Sequence, residues 1–137
     1  MINWKAIIFG WVTTVLACLL NNLIFVLFAA YIANSKDIPF MAEHGNIITY
    51  VLGGIGFFIA MAIGGFITAF CARERVITHG AIVGLLASAT SLALSAHTGS
   101  ILTPISFLFL VMGIASTIAG CVIWSKSPTY TPESERV

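Results

Sequence analysis

The chain has 137 residues, of which 59% are hydrophobic and only 8% are charged. Ordinary soluble domains carry about 25% charged residues, and a soluble core built from so short a chain cannot bury this much apolar side chain. Lipid must therefore act as the solvent for most of the sequence. The net charge of +1, with six Lys and Arg residues in all, excludes the clustered basic surface that marks a nucleic-acid-binding protein.

Four long segments without Asp, Glu, Lys or Arg predict transmembrane helices, because about 20 apolar residues cross a ~30 Å hydrocarbon core. The predicted spans are 6–33, 47–72, 76–96 and 101–124. The first span is longer than a bilayer requires, so we expect it to tilt or to project on one side. The predicted links are 34–46, 73–75 and a polar turn near 97–104. Residues 1–126 are expected to form an all-α, up-down-up-down four-helix transmembrane bundle, followed by a flexible cytoplasmic tail over 127–137.

The distribution of Lys and Arg predicts the orientation of this bundle. With the N-terminus in the cytoplasm, five of the six basic residues lie on the cytoplasmic side and only Lys36 lies outside. The opposite orientation reverses that ratio, so the positive-inside rule favours cytoplasmic N- and C-termini. The expected location is the bacterial inner (plasma) membrane, with Trp4, Trp11 and Trp124 at the inner interface.

Each predicted span has one face of small or hydroxyl-bearing residues and one face of bulky apolar residues. The bulky residues Phe25, Phe28, Phe57 and Phe109 are expected to face lipid or a subunit interface. In the first span the small face follows the i, i+4, i+7, i+11 spacing of one side of a helix. Lipid gives helices no hydrophobic drive to associate, so close backbone approach across small residues is expected to hold them together. The residues assigned to helix packing, or alternatively to a polar path, are Gly10, Thr14, Asn21, Asn22, Gly64, Gly84, Ser88, Ser91, Ser95, Thr117 and Gly120.

A weak internal repeat connects the two predicted hairpins. Shifting the first span by 74 positions places Gly10, Thr14, Ala17 and Asn21 on Gly84, Ser88, Ser91 and Ser95. The second and fourth spans pair less well, with Gly64-Gly65 over Ala119-Gly120. Two hairpins of the same orientation would be parallel repeats about an axis along the membrane normal. Duplication and chance similarity of small residues both remain open.

The small faces admit a second interpretation, in which their hydroxyls line a narrow conduit or a small-molecule pocket. No charged residue lies within any predicted span, whereas ion and proton routes usually carry one, so packing is preferred. Asn21 and Asn22 form the most polar point. At least one of them must face protein, because an unpartnered amide in hydrocarbon is costly. Its role is either a helix-to-helix hydrogen bond or a contact with a substrate or second subunit.

The sequence predicts no catalytic residues, no cofactor and no metal site. Cys18, Cys71 and Cys121 all fall within predicted spans, which argues against a disulfide framework or a zinc site. The chain lacks Gly-x-Ser-x-Gly, His-Glu-x-x-His and phosphate-loop motifs. His44 and His97 are interpreted as interfacial residues, because nothing in their spacing requires a metal.

The middle of the chain reads Gly64-Gly65-Phe66-Ile67-Thr68-Ala69, then Arg73-Glu74-Arg75, then His79-Gly80-Ala81-Ile82-Val83-Gly84. This pattern resembles uncharacterised bacterial four-span membrane proteins, in which a Gly-Gly-rich second span leads through a short basic loop into a His-Gly-x-x-x-Gly third span. Those proteins prefer Ala-Gly where this chain has Thr68-Ala69. The resemblance implies the four-span layout and no particular activity.

These features favour a small integral membrane protein without enzymatic activity that acts as an accessory subunit or interaction module. Its expected partners are membrane lipid, a second copy of the chain or other membrane proteins, and not nucleic acid. The alternative is an oligomeric small-solute transporter or channel, because four spans alone enclose little volume. A water-filled cavity reaching Asn21 and the serines would favour transport, whereas a dry interior would favour the accessory role.

Overall fold

A computed structural model of the protein describes residues 2–34, 39–72, 74–97 and 104–127. Within these ranges the chain forms four α-helices and no β-strand, which confirms the all-α prediction. The helices are α1 (Trp4–Asn34), α2 (Pro39–Ala72), α3 (Val76–His97) and α4 (Pro104–Ser125). Each contains a segment long and apolar enough to cross a membrane, so the protein is a multi-pass membrane protein.

Helix α2 begins earlier than the sequence predicted. The polar link expected over 34–46 is wrong for 39–46, because Pro39 opens a helix that continues to Ala72. Proline favours the first turn of a helix, where its missing N–H would have had no partner in any case. The other predicted span ends differ from the helix ends by at most three residues. The turn residues 98–103 and the predicted tail from residue 128 onward lie outside the described residues.

Consecutive helices run antiparallel, in up-down-up-down order, and α2 is the central helix. It contacts α1, α3 and α4, whereas α1 and α4 do not touch within the described ranges. Helices α2 and α4 run parallel to each other and are in direct contact. Helices α1 and α3 are also parallel and in contact. The arrangement is therefore two hairpins, α1–α2 and α3–α4, joined mainly by the contact between α2 and α4.

The link between α2 and α3 is a tight reversal of the chain. The Glu74 N–H donates to the Ala72 carbonyl at 2.6 Å, and Arg75 has a φ of 45°, in the left-handed region. Glycine adopts this region freely, but a residue with a side chain is strained there. Ala72 before the reversal and Val76 after it are both buried.

Burial divides the bundle into two unequal halves. We name the end that holds Trp4, Ala72, Val76 and Ser125 the inner half, and the opposite end the outer half. Apart from three residues, every buried residue in the described ranges lies within twelve residues of the inner helix ends, a depth of ~18 Å. The three exceptions, on α1 and α2, are Ile32, Gly45 and Thr49.

In the outer half the two hairpins separate. Helix α1 has no buried residue between Thr14 and Ile32. Helices α1 and α2 have 31 and 34 residues, whereas α3 and α4 have 22 each. A Cβ on Gly45 would collide with Ile32, so α1 and α2 stay packed to their outer ends. The α1–α2 hairpin therefore extends roughly 15 Å beyond the other hairpin.

Candidate functional site

The inner half is closed by reciprocal contacts between a glycine and a hydroxyl residue. Gly10 of α1 lies against Thr68 of α2, and Gly64 of α2 lies against Thr14 of α1. A Cβ on either glycine would collide with the facing threonine and would stand 3.3 Å from the carbonyl oxygen of the facing glycine. Such close approach of two backbones is what binds helices in lipid. We name these four residues the first clasp.

The clasp hydroxyls are satisfied within their own helices. Thr14 Oγ1 donates to the Gly10 carbonyl at 2.8 Å, and Thr68 Oγ1 donates to the Gly64 carbonyl at 2.7 Å. Both threonines are completely buried. A hydroxyl that donates to the carbonyl four residues earlier needs no partner on another helix. The first clasp is therefore a packing contact, and it leaves no polar path between α1 and α2 at this level.

A second set of reciprocal contacts between a glycine and a hydroxyl residue joins α3 to α4, at longer distances than in the first clasp. A Cβ on Gly84 would stand 3.1 Å from Thr117 Oγ1, and one on Gly113 would stand 2.9 Å from Ser88 Oγ. Thr117 Oγ1 donates to the Gly113 carbonyl at 2.9 Å. The Ser88 hydroxyl, on a residue that is 2% exposed, has no hydrogen-bond partner among the described residues. We name Gly84, Ser88, Gly113 and Thr117 the second clasp.

The two clasps also correct the predicted repeat. In α1 and α3 the equivalent residues are Gly10 and Gly84, as the 74-residue shift predicted. In α2 and α4 the equivalent residues are Gly64 and Gly113, a shift of 49, so the pairing of Gly64-Gly65 with Ala119-Gly120 is wrong. That pairing aligned residues because both segments contain glycine, although these glycines contact different helices. Gly120 instead serves the contact between α2 and α4.

This contact between α2 and α4 brings backbone directly against backbone. A Cβ on Gly65 would collide with the Thr117 carbonyl, and a Cβ on Gly120 would collide with the Ala62 carbonyl. The Cys121 thiol is buried and donates to the Gly65 carbonyl at 3.1 Å. The hairpins are thus joined through small residues, and Cys121 acts as a packing residue, as its position in a span suggested.

His79 connects the start of α1 to the start of α3. Its Nε2 accepts the Asn3 N–H at 2.8 Å, and its Nδ1 lies 3.0 Å from the Arg75 carbonyl. The side chain of Asn3 in turn caps α1 by accepting the Ala6 N–H at 3.3 Å. Neutral imidazole with its proton on Nδ1 satisfies both contacts. The 1% exposed ring is therefore a structural element of the inner end.

The adjacent amides of α1 have different environments. Asn21 Nδ2 donates to the Gly53 carbonyl at 3.2 Å, and its Oδ1 lies where a Cβ on Gly56 would have to stand. Asn21 therefore forms a hydrogen bond that joins α1 to α2. Asn22 is exposed and bonds to no residue that the structure describes. The amide pair thus contains one satisfied and one unsatisfied member.

A cavity of about 270 Å³ lies among the four helices of the outer half, next to this amide pair. Its polar lining includes Asn21, Asn22 and Ser91. Asp, Glu, Lys, Arg and His are absent from the described lining. Its apolar walls are aromatic and come from Phe25, Phe57, Phe109 and the ring of Tyr50, whose hydroxyl is a further polar group.

A second, narrower space of about 60 Å³ runs between α1 and α3, and we name it the α1–α3 seam. It shares Cys18, Asn22 and Ser91 with the cavity, so the two spaces are adjacent. Leu19 and Leu94 flank the seam and are 53% and 57% exposed, so the seam opens at the side of the bundle.

The seam has a defined lower limit. There the Trp11 indole N–H donates to Thr90 Oγ1 at 3.3 Å and joins α1 to α3. The sequence predicted that this indole lies at the inner membrane–water interface, whereas in the structure its N–H forms a hydrogen bond with the Thr90 side chain. Nearer the inner end, Thr14 and Ser88 are buried in the two clasps. The seam therefore ends at the level of Thr14 and Ala87, at the edge of the inner half.

The aromatic walls were not recognised from the sequence. Phe25, Phe57 and Phe109 were expected to face lipid or a subunit interface, but they line the cavity, and the ring centroids of Phe57 and Phe109 are 6.0 Å apart. The sequence offers one signal for this level, the Gly53-Gly54 pair of α2, from which no site was predicted. Gly54 has no neighbouring atom within 4 Å of an added Cβ. The side chain of Ser95, although on α3, lies outside the described residues.

The described residues contain no group of three or more His, Cys, Asp or Glu side chains placed to hold a metal ion. Among the described residues, the Glu43 carboxylate pairs with the neighbouring His44 alone, at 3.8 Å. Comparisons with known proteins give no identification: no protein-family model matches the sequence, and neither the curated proteins nor the solved structures yield a significant match.

Proposed function

We propose that the protein is a small integral membrane protein without enzymatic activity that acts as an interaction module or accessory subunit. It engages another membrane component through the cavity and the α1–α3 seam of its outer half. The observation that carries this proposal is Asn22, an exposed amide with no bond to any described residue. An amide in hydrocarbon gains from a hydrogen-bonding partner, because the membrane interior supplies none.

The position of Asn22 supports contact with lipid-phase molecules. It lies 18 residues from Trp4 and 12 residues from Asn34, or roughly 27 Å and 18 Å along α1. Both distances place it deep within the apolar segment. The remaining expected partners are a second copy of the chain, another membrane protein and a membrane lipid.

The alternative of a transporter or channel receives mixed support. The cavity reaches Asn21, Asn22 and Ser91, as that alternative requires. The two clasps nevertheless close the inner half with buried threonines that bond to their own helices. Conduction would require both hairpins to open along these glycine contacts. Binding requires no such rearrangement, so it is the better supported function.

We further propose that both termini are cytoplasmic and that the membrane is the bacterial inner membrane. Five of the six basic residues, namely Lys5, Arg73, Arg75, Lys126 and Arg136, belong to the N-terminus, the α2–α3 link or the C-terminal segment, and this distribution supports the orientation. Green fluorescent protein fused after residue 137 is expected to fluoresce, since it folds only in the cytoplasm. Alkaline phosphatase inserted between residues 35 and 38 is expected to be active. Phosphatase activity at the C-terminus would contradict the orientation.

The interaction itself is tested by replacing Asn22 with an apolar residue of similar size. Native mass spectrometry of protein extracted with its surrounding lipid should detect a bound component, whether a second chain, another protein or a small molecule. Asn22→Leu is expected to lower its occupancy about fivefold, the effect of one hydrogen bond within a membrane.

A matched control exists on the same helix. Thr13 stands nine residues from Asn22, on the opposite side of α1, and its hydroxyl donates to the Phe9 carbonyl at 2.8 Å. Thr13→Leu removes a polar side chain of α1 without touching the cavity, so occupancy should stay at the wild-type level. Equal occupancy in wild type and Asn22→Leu would contradict the proposed function.

A further inference from the structure

We propose that the outer cavity and the α1–α3 seam bind an uncharged amphiphile, whose hydroxyl or amide head group lies between Asn22 and Ser91 and whose chain leaves through the seam. This inference rests on the proposed function and names the occupant of the same site. It is argued from the shape of the two adjacent spaces, from their lack of charged residues and from their hydrogen-bonding groups.

The shape of the spaces favours a thin occupant. The cavity measures about 270 Å³, near the lower limit of small-molecule sites. The seam beside it measures only about 60 Å³. A head group with a few carbons fits the cavity, and only a narrow chain fits the seam.

The route into the cavity favours a molecule that arrives from lipid. The seam lies beside the cavity and reaches the side of the bundle at the exposed residues Leu19 and Leu94. Both flanking side chains are aliphatic, so a hydrocarbon chain passing between them stays in an apolar environment. A water-soluble solute would lose its hydration along this route without compensation. The occupant is therefore expected to carry an apolar chain.

The electrostatics of the site favour an uncharged head group. No Asp, Glu, Lys, Arg or His is among the described lining residues of the cavity or the seam. An ion in such a site has no counter-charge, and burial of an unpaired ion is strongly unfavourable. Phosphate, carboxylate and ammonium head groups are thereby disfavoured.

The free hydrogen-bonding groups favour a head that both donates and accepts. Asn22 offers an amide NH₂ and an amide oxygen, and Ser91 offers a hydroxyl. Both residues are exposed, and neither bonds to a described residue. An alcohol or a primary amide can use both groups at once, whereas an ester or ketone can only accept. Asn21 is already committed to Gly53 and holds α1 in place.

Photolabelling of the full-length protein in phosphatidylcholine vesicles tests the inference. The probe is a long-chain alcohol with a diazirine next to its hydroxyl, compared with the matched alkyl sulfonate and alkyl trimethylammonium. The alcohol is expected to label residues 18–25 and 87–94 saturably, in competition with the unmodified alcohol. The two permanently charged probes should label these segments at least about tenfold less.

Variants connect the labelling to the proposed head-group contacts. Asn22→Leu is expected to lower saturable labelling about fivefold, and Ser91→Ala about twofold. Thr13→Leu should leave it unchanged. Both Asn22 and Ser91 are exposed, so their replacement leaves the buried inner half intact, and circular dichroism of each variant verifies the fold.

Three results would overturn the inference: equal labelling by all three probes, labelling that never saturates, and labelling that survives Asn22→Leu. A second copy or another protein bound at Asn22 in native mass spectrometry, with no alcohol labelling, would also overturn it while supporting the proposed function. Absence of both a bound component and saturable labelling would contradict the inference and the proposed function together.

Discussion

Gly65→Ala and Gly120→Ala are expected to destabilise the bundle by about 3 kcal/mol each, the upper part of the usual range for overpacking. A Cβ at Gly65 would collide with the Thr117 carbonyl, and a Cβ at Gly120 with the Ala62 carbonyl. The obstacle in each case is backbone, which cannot rotate away as a flexible side chain does. The added methyl must therefore push α2 and α4 apart. Thermal unfolding in detergent measures the effect.

Gly54→Ala is the matched control for these substitutions. Gly54 also lies inside α2, but an added Cβ there has no neighbouring atom within 4 Å. Alanine has a better helix propensity than glycine by ~1 kcal/mol, so this variant should unfold at the wild-type temperature or slightly above it. If all three variants unfolded together, glycine would matter in this bundle for reasons other than close packing between α2 and α4.

His79→Ala is expected to cost about 2–4 kcal/mol, the usual range for deleting a large buried side chain. The substitution removes a ring that is 1% exposed and leaves the Asn3 N–H without its acceptor. Since Asn3 caps α1, the first turn of that helix should loosen at the same time. Detergent melting reports the stability, and limited proteolysis of the first ten residues reports the loosening.

Two companion variants make this prediction specific. Thr78→Ala changes the neighbouring, exposed residue of α3 and should leave both readouts unchanged. His79→Gln retains an amide oxygen that can accept the Asn3 N–H and should recover part of the protection of the N-terminus. Equal proteolysis of wild type and His79→Ala would show that the histidine does not hold α1 at the inner end.

The fold could be predicted from composition because the membrane restricts the solutions so strongly. A charge-free segment of some 20 residues in lipid must satisfy its own backbone, and only a helix does this within one segment. The small faces also identified Gly10, Thr14, Gly64 and Gly84, all of which are buried at helix contacts. The helical period of 3.6 residues per turn determines which residues share a face, so each face can be identified from the sequence of its own segment.

The register between helices and the outer cavity could not be predicted in the same way. Gly64 and Gly120 look alike in sequence, yet one faces α1 and the other joins α4 to α2. That difference depends on the relative rotation of whole helices, which no single segment encodes. The cavity depends on the divergence of the two hairpins in the outer half, where Phe57 and Phe109 line it. Aromatic residues on a span look the same whether they face lipid or a cavity.

The clasps have a consequence for how the chain is made and inserted. All four residues of the first clasp lie between positions 10 and 68, so they have been synthesised before α3 begins at Val76. The first hairpin can therefore close in the membrane while the ribosome is still producing the second. The second hairpin brings its own clasp, between positions 84 and 117. Assembly then reduces to a single late step, in which two preformed hairpins meet along α2 and α4.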